Sequence, residues 1–351
     1  MRLLVTGGAG YIGSHAARRL LADGHHVTIV DNLVRGHRGA VAAVAAAAPQ
    51  RLHFAEADIA DIEAMSRVLA AARPEAVLHF AALAYVGESV DDPMRYWWNN
   101  AAGTISLLSA MRAASVPRLV FSSTCATYGE PPPERVPIDE ECPQAPVNPY
   151  GRAKLASELV MRDHLEAERR AGRDFAFAAL RYFNVAGADR SGRLGEDHRP
   201  ETHLIPLCLE VAEGRREALT IFGDDYPTPD GTCVRDYVHV EDLVEAHVLA
   251  LAALRPGEGR AWNVGIGRGH SVREVVESCR RVTGHAIPTR EGARRAGDPP
   301  ALYAESSRIQ RELGWRPATT ELDEIVADAW RWRCTNPDGY DDSAPIPAAE
   351  R

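Results

Sequence analysis

The stretch "TGGAGYIG" at residues 6 to 13 lies between an apolar run, "LLVT" at 3 to 6, and a segment with helical periodicity. At a turn from a strand into a helix, glycines let the backbone turn tightly and bring helix N–H groups against a phosphate. We therefore single out Gly7, Gly10 and Gly13. Glycines alone are weak evidence, since any tight turn of this kind uses them.

An acidic residue strengthens this interpretation. Asp31 closes the next apolar run, "HVTIV" at 26 to 30, eighteen residues after Gly13. A carboxylate at that position accepts hydrogen bonds from a ribose diol, so the two features together predict a dinucleotide site. Asp31 would repel a 2′-phosphate, which favours NAD over NADP, and Arg35 is the one opposing charge nearby.

The order of apolar runs predicts the fold class. Runs rich in Val, Ile, Leu and Phe recur at 3 to 6, 26 to 30, 51 to 55, 76 to 81, 118 to 123 and 175 to 183. Helix-period stretches separate them, and continuously apolar strands that alternate with helices indicate a parallel sheet covered on both faces. We expect a Rossmann-like, doubly wound α/β domain over residues 1 to 183, with ligands at the carboxyl ends of the strands.

The second half of the chain is less regular. Loops rich in Gly and Pro alternate with helical stretches near 203 to 213, 241 to 255, 271 to 283 and 321 to 333. These predict a smaller α/β lobe over 184 to 340 that covers a ligand, with some strands and helices crossing between the two parts. Residues 341 to 351 are expected to form a flexible tail.

Composition narrows the kind of partner. The 351 residues are 45% hydrophobic and carry a net charge of −9, which argues against nucleic acid and anionic membranes and favours a small molecule. The six cysteines show no CxxC pair, so neither a metal site nor a disulfide framework is predicted. Neither a signal segment nor a membrane-length apolar run is evident, and we expect a cytoplasmic protein.

"NPYGRAK" at 148 to 154 places Tyr150 and Lys154 on one face of a predicted helix. A tyrosine with its ordinary pKa is a poor base at neutral pH, whereas a nearby ammonium and an oxidised nicotinamide would together favour the phenolate. The hydroxyl cluster Ser122, Ser123 and Thr124 follows a predicted strand and so lies at the ligand-binding edge of the sheet. On spacing alone, a surface Tyr–Lys pair remains an alternative.

These residues resemble the extended short-chain dehydrogenase/reductase family and, within it, the UDP-galactose 4-epimerases along nearly the whole chain. The matching segments are "VTGGAGYIGSH", "VGESV", "NNAAGT", "FSSTCATYG", "NPYGRAKLASE", "LRYFNVAGAD", "IFGDDYPTPDGTCVRDYVHVEDL" and "LGWRP". The glycine turn and YxxxK mark only the superfamily, whereas "DYPTPDGTCVRDYVHV" is specific to the epimerase branch.

The resemblance implies roles for individual residues. Tyr150 would be the acid/base, Lys154 its electrostatic partner and a cofactor ligand, and Thr124 the hydroxyl that many relatives supply as Ser. Positions that match NAD contacts are Gly7, Gly10, Tyr11, Ile12, Gly13, Asp31, Asn32, Asp58, Ile59, Phe80, Asn99, Tyr150, Lys154 and Phe183. Those that match UDP-sugar contacts are Thr124, Asn184, His203, Phe222, Arg235, Arg295, Asp298 and Leu302.

The implied reaction is 4-epimerisation of UDP-galactose and UDP-glucose. Tyr150 would take the proton of the sugar 4-hydroxyl while tightly bound NAD+ takes the C4 hydride. The 4-keto sugar would then turn over and receive the hydride on its other face. The resemblance also suggests a homodimer through helices around 100 to 115 and 150 to 171, although burial of those helices within one subunit fits equally well.

Three positions depart from the commonest bacterial pattern. Ala84-Tyr85 stands where many relatives have Lys-Ala, His203 where an Asn often lies, and Leu302 where some carry a bulky Tyr beside the sugar. Leu302 would leave room for UDP-N-acetylhexosamines, and relatives with similar departures resemble UDP-arabinose/UDP-xylose 4-epimerases, so both substrate classes remain open. His203 fits a structural role as well as a substrate contact.

Other classes fit less well. Nucleotide-sugar 4,6-dehydratases carry an Asp-Glu pair where this chain has Cys125-Ala126, and the missing Glu also disfavours a decarboxylase. A non-catalytic NAD-sensing protein would not need an intact Tyr150–Lys154 pair together with Arg235 and Arg295.

Overall fold

The computed structural model describes residues 1–295 and 298–346. Its strands are β1 (Arg2–Thr6), β2 (His26–Asp31), β3 (Leu52–Glu56), β4 (Ala76–His79), β5 (Arg118–Thr124), β6 (Ala176–Tyr182), β7 (Asn184–Ala186), β8 (Leu219–Phe222), β9 (Val234–His239), β10 (Gly259–Val264), β11 (Gly269–Ser271), β12 (Thr289–Gly292) and β13 (Ala301–Leu302). Its α-helices are α1 (Tyr11–Ala22), α2 (Arg38–Ala45), α3 (Ile62–Ala72), α4 (Val86–Asp91), α5 (Pro93–Tyr96), α6 (Gly103–Ala113), α7 (Pro149–Arg170), α8 (Leu204–Ala212), α9 (Val240–Ala253), α10 (Val272–Thr283), α11 (Ser307–Leu313) and α12 (Leu322–Thr335). A π-helical turn, Trp97–Ala102, joins α5 to α6.

Seven parallel strands form the main sheet in the order β10-β6-β5-β4-β1-β2-β3. Successive residues of β1 point to opposite faces, so Leu3 and Val5 pack into one core while Leu4 packs into the other. The first core is closed by α1, α2 and α9, and the second by α3, α6 and α7. This confirms the predicted Rossmann-like class and the six predicted strands.

The chain returns to this sheet after residue 183, because β10 adds the seventh strand beside β6. Helix α9, which the sequence placed in the smaller lobe, also belongs to the main domain by packing. Its Leu243, Ala246 and Ala250 enter the core that Ala17 and Leu20 of α1 line, since small residues on both helices allow close approach. The division at residue 183 stays a prediction.

The remaining strands build a smaller lobe at the carboxyl edge of the main sheet. Strand β9 pairs with β7 and β13 in parallel and with β11 in antiparallel fashion, while β8 pairs with β12. Helices α8, α10 and α12 contribute to the core of this lobe. None of the described helices is long and apolar enough to cross a membrane.

Part of the predicted tail contacts the main domain. His37 Nδ1 lies 2.9 Å from an Asp342 carboxylate oxygen, and Ile346 packs against the core beneath α1 and α2. The rest of that predicted tail, residues 347–351, lies outside the described residues.

Candidate functional site

One cavity of about 1190 Å³ opens at the carboxyl edge of the main sheet, between this sheet and the smaller lobe. Its walls bring together residues from the β1–α1 turn and α1 with residues from β9 and the loop before β13. The predicted residues that line it are Gly7, Gly10, Tyr11, Ile12, Gly13, Asp31, Asn32, Ile59, Phe80, Asn99, Thr124, Tyr150, Lys154, Phe183, Asn184, His203, Phe222, Arg235, Arg295, Asp298 and Leu302. Asp58 is the one predicted residue that does not line it.

The glycines of the β1–α1 turn serve two different purposes. Gly7 has φ +71°, and a Cβ on Gly13 would lie 2.1 Å from the Gly7 carbonyl oxygen, so the fold itself requires both glycines. A Cβ on Gly10 would meet only the Gly7 oxygen, at the ordinary distance of 3.4 Å. Gly10 therefore leaves space for a ligand, not for neighbouring protein atoms. It precedes α1 without a side-chain cap, so N–H groups of the first helical turn remain available for an anion.

Asp31 closes β2 beside this turn. Its carboxylate accepts the Ala9 N–H at 3.0 Å and the Leu33 N–H at 2.9 Å. Burial raises the pKa of Asp31, and these backbone donors oppose that shift. Asp58 is exposed beside the cavity and accepts a hydrogen bond of 3.0 Å from the Asn32 amide, which it orients.

Arg35 carries the one nearby positive charge that opposed the preference for NAD, and it is already paired with other protein groups. Its guanidinium lies 2.6 Å from Glu88, donates to the Arg199 carbonyl at 2.8 Å and stacks 4.7 Å from the centre of the Tyr85 ring. A cation that already has a carboxylate partner is less able to hold a 2′-phosphate. The ion pair therefore strengthens the preference for NAD.

The proline and glycine around Tyr150 position it. The Asn148 side chain caps α7 by accepting the Gly151 N–H at 2.9 Å, and Pro149 begins the helix. A Cβ at Gly151 would lie 2.5 Å from the Ala126 carbonyl oxygen, so glycine lets α7 approach the hydroxyl-bearing end of β5. Tyr150 is thus buried in the cavity wall near Thr124.

Lys154, one turn along α7, is 2% exposed. Its ammonium donates to the Ser122 carbonyl at 2.8 Å and lies 4.8 Å from the centre of the Phe121 ring. Burial lowers the pKa of Lys154 to about 7, although the nearby Glu158 carboxylate opposes this shift. The lysine is therefore held against the strand that carries the hydroxyl cluster.

Within the protein alone, the surroundings of Tyr150 favour its protonated form. Burial raises the pKa of Tyr150, the proximity of Tyr182 adds to that rise, and a hydrogen bond with Thr124 opposes it. The predicted joint effect of Lys154 and an oxidised nicotinamide on Tyr150 stays a prediction.

The hydroxyl cluster divides between two tasks. Ser122 Oγ lies 2.5 Å from the Tyr182 hydroxyl in the cavity wall, whereas Ser123 donates to Glu158 at 2.6 Å on the other side of the strand. Arg181 donates to both oxygens of Glu158, at 3.0 and 2.7 Å. This buried ion pair locks β5, β6 and α7 together, so Ser123 supports the site without entering it.

Positively charged and apolar residues line the opposite end of the cavity. Arg235 on β9 forms an ion pair with Asp298, and the Arg295 guanidinium stacks 4.1 Å from the centre of the Phe222 ring. Leu302 pairs in register with Arg235 and packs in one cluster with Phe183 and Cys125, close to the hydroxyl end of β5. Asn184 opens β7, which pairs with β9. These placements provide two guanidinium groups for an anionic ligand.

His203 lies in a group that the sequence did not predict. Its Nδ1 is 2.7 Å from Glu196 and 3.3 Å from Glu201, and the His198 ring lies beside it. These carboxylates raise the pKa of His203 to about 10, although burial opposes the shift. Glu196 and His198 also line the cavity. The only signal in the sequence is the His- and Glu-rich string "GEDHRPETH", which matches no common ligand spacing.

Comparison with known proteins identifies close relatives along almost the whole chain. Residues 3–265 match the family model described as "NAD dependent epimerase/dehydratase family". A UDP-glucose 4-epimerase of Streptomyces lividans is 51% identical over 343 residues, which are 97% of this chain and 98% of that protein. UDP-arabinose 4-epimerase 1 of Arabidopsis thaliana is 47% identical over 344 residues, 96% of this chain and 80% of that protein. The crystal structure of UDP-glucose 4-epimerase from Bifidobacterium longum, in complex with NAD+ and UDP, superposes with a TM-score of 0.91 at 38% identity and covers 96% of this chain and 99% of that one.

Proposed function

Because the chain belongs to the NAD dependent epimerase/dehydratase family, we propose that it acts as a UDP-glucose 4-epimerase, which interconverts UDP-galactose and UDP-glucose with tightly bound NAD. The observation that carries this proposal is the cavity, which joins a dinucleotide-type glycine turn, the Tyr150–Lys154–Thr124 group and the Arg235 and Arg295 guanidinium groups in one space.

The residues present fit NAD. The space beside Gly10 and the free N–H groups at the beginning of α1 suit the pyrophosphate, while Asp31 suits the adenosine ribose. Bound NAD+ accepts and returns the C4 hydride, and its nicotinamide adds a positive charge at the site. The Arg35–Glu88 pair supports NAD over its 2′-phosphorylated form.

Tyr150 performs the proton transfer. It takes the proton of the sugar 4-hydroxyl as C4 is oxidised and returns a proton to the 4-keto oxygen when C4 is reduced. A hydrogen bond with Thr124 favours the phenolate form, against the burial that disfavours it. A bound oxidised nicotinamide would add a positive charge that favours the phenolate further, together with the ammonium of Lys154.

The diphosphate end supplies binding energy away from the reacting carbon. Arg235 and Arg295 present forked donors that suit a diphosphate. Asp298 fixes the Arg235 guanidinium, and the Phe222 ring supports that of Arg295. An anchor on UDP leaves the hexose loosely held, which the turnover of the 4-keto sugar requires.

Two further substrate classes have specific support. Leu302 forms part of the wall beside Phe183, where a tyrosine would occupy more space, and this favours entry of UDP-N-acetylhexosamines. The relative named UDP-arabinose 4-epimerase 1 is nearly as similar as the UDP-glucose 4-epimerase of Streptomyces lividans, which supports UDP-arabinose/UDP-xylose as a second pair.

The predicted homodimer is also part of the proposal. Large apolar side chains are exposed on three elements that pack together, with Trp98 69%, Ile105 48% and Leu159 48% exposed. Exposed apolar clusters of this kind are typical of protein interfaces. The face lies on the two segments that the resemblance assigned to the dimer, α6 with its preceding turn and α7. The cytoplasmic location stays a prediction.

A coupled assay tests the function. The wild-type protein should convert UDP-galactose into UDP-glucose, detected by an added UDP-glucose dehydrogenase after the protein's own NAD content has been measured. Tyr150→Phe should retain bound NAD and lose activity by at least about a hundredfold. A wild-type protein that holds NAD but converts none of the three UDP-sugar pairs would contradict the proposal.

A further inference from the structure

Four metal-binding side chains converge on the segment that leads into α8. They are Glu196, His198, Glu201 and His203, and one ligand atom of each lies within 4.8 Å of the others. Glu196 Oε1 is 3.0 Å from His198 Nδ1 and 2.7 Å from His203 Nδ1. Glu201 carboxylate oxygens lie 3.3 Å from His203 Nδ1 and 3.9 Å from His198 Nδ1. The four donors therefore surround one point.

Three ligand atoms in this group lack a hydrogen-bond partner among the described residues. The Glu201 side chain is 4% exposed, and its Oε1 accepts the N–H groups of Thr202 and His203. Its Oε2 has no hydrogen-bond partner within residues 1–295 and 298–346, and neither have His198 Nδ1 and His203 Nδ1, although both nitrogens lie within 3.0 Å of Glu196 Oε1. A buried carboxylate oxygen without a donor is costly. Ion pairs of Glu196 with His198 and His203 would still leave Glu201 Oε2 without a partner.

We propose that Glu196, His198, Glu201 and His203 bind one divalent cation of the zinc type. Zinc bonds of about 2.0 to 2.2 Å in a tetrahedron place ligand atoms roughly 3.3 to 3.5 Å apart. The four histidine–carboxylate separations, 2.7 to 3.9 Å, fall on both sides of that range, and all the ligand atoms lie within 4.8 Å of one another, so the side chains must adjust to close around the ion. Two imidazoles favour zinc over magnesium or calcium, and two carboxylates balance its charge.

The position of the four ligands in the cavity wall indicates a structural role for the cation. All four ligands come from residues 196–203, and Glu196, His198 and His203 lie in the cavity wall. The His198 ring meets the Tyr11 and Tyr85 rings edge-on, with centroids 6.4 and 5.8 Å apart. A bound cation would fix this stretch of wall against the main domain. It would not take part in the proton or hydride transfer.

Calorimetry with zinc chloride tests the site directly. The full-length protein is stripped with a chelator, in a Cys334→Ser background because Cys334 is an exposed thiol that would bind zinc by itself. We expect one zinc ion per chain with sub-micromolar affinity, weaker binding of Mn²⁺ and none of Mg²⁺. An absence of stoichiometric zinc binding to the stripped, folded protein overturns the proposal and leaves an ion-pair network as the explanation.

Variants locate the bound ion. His198→Ala and the isosteric Glu201→Gln should each weaken zinc binding at least about tenfold, whereas His53→Ala removes an exposed histidine outside the cluster and should change nothing. Zinc should raise the Tm of the stripped wild type but not that of the two cluster variants. Equal binding by all three variants would contradict the assignment. Because the readout is metal binding, its outcome is independent of the epimerase assay.

Discussion

Gly10 and Gly13 form a matched pair for testing whether the β1–α1 turn holds the pyrophosphate of NAD. At Gly10 the backbone has φ −84° and ψ 176°, which alanine adopts freely, and the added Cβ would have one protein contact, at 3.4 Å. Gly10→Ala should therefore alter the free energy of unfolding by less than about 0.5 kcal/mol. The methyl group instead occupies the space left for the ligand.

Gly13→Ala should behave differently. Its Cβ would lie 2.1 Å from the Gly7 carbonyl oxygen, well inside van der Waals contact, so the turn must move by about 1 Å or more. Overpacking of this kind costs about 1 to 3 kcal/mol. In a chain of 351 residues that lowers the Tm by roughly 1 to 4 °C. Gly13→Ala should thus lose both stability and NAD.

The assay measures both properties. NAD released by denaturing each purified protein gives the bound amount per chain, and thermal melts of dinucleotide-free protein give the Tm. Gly10→Ala should bind NAD roughly ten to a hundred times more weakly, about 1.4 to 2.8 kcal/mol, at an unchanged Tm. Wild-type NAD affinity in Gly10→Ala would refute the assignment of this turn to the cofactor.

Three further substitutions test the proton chemistry, the sugar pocket and the dimer. Burial lowers the pKa of Lys154 to about 7 in the folded protein, whereas its ordinary pKa is 10.5. Between pH 7 and pH 10.5 the unfolded chain therefore binds more protons than the folded protein, and the stability of the wild type rises with pH. Lys154→Met should be inactive. At pH 7 its free energy of unfolding should exceed that of the wild type by at most roughly 5 kcal/mol, and in dinucleotide-free protein this difference should close toward pH 10. A difference that does not change with pH would contradict this. Leu302→Tyr should lower kcat/KM for UDP-N-acetylgalactosamine at least about tenfold while changing that for UDP-galactose less than about threefold, and equal effects would argue against a wall at Leu302. Trp98→Glu should convert a dimer to a monomer in sedimentation velocity, and a monomeric wild type would remove the proposed interface.

Local sequence features predicted much of the fold and most of the cavity. The six apolar runs appear as strands of one parallel sheet, five of them buried on both faces and the sixth, β3, at its partly exposed edge. The glycine turn, Asp31 and Tyr150 meet at one edge because parallel strands end together there. Asp58 matched a cofactor position by resemblance; its side chain accepts a hydrogen bond from Asn32, and its contact with the cofactor stays a prediction.

The features that were missed depend on contacts distant in the chain. β10 contains the mixed sequence "GRAWNV", whose place beside β6 depends on long-range pairing. Likewise, α9 joins the main domain through its contact with α1. The hydrogen bond from Lys154 to the Ser122 carbonyl also depends on how close α7 lies to β5. The Glu196–His203 group forms because a loop folds back on itself, which no helical or strand period encodes.

The fate of the hydrogen on the sugar C4 tests the central claim most directly. UDP-galactose deuterated at C4 is incubated with purified protein in ordinary water, without added NAD, and the UDP-glucose formed is analysed by NMR and mass spectrometry beside a Tyr150→Phe control. If hydride leaves C4 and returns within one site, the product keeps its deuterium at C4 and the control forms none. Protium from solvent at C4 of the product would contradict the account.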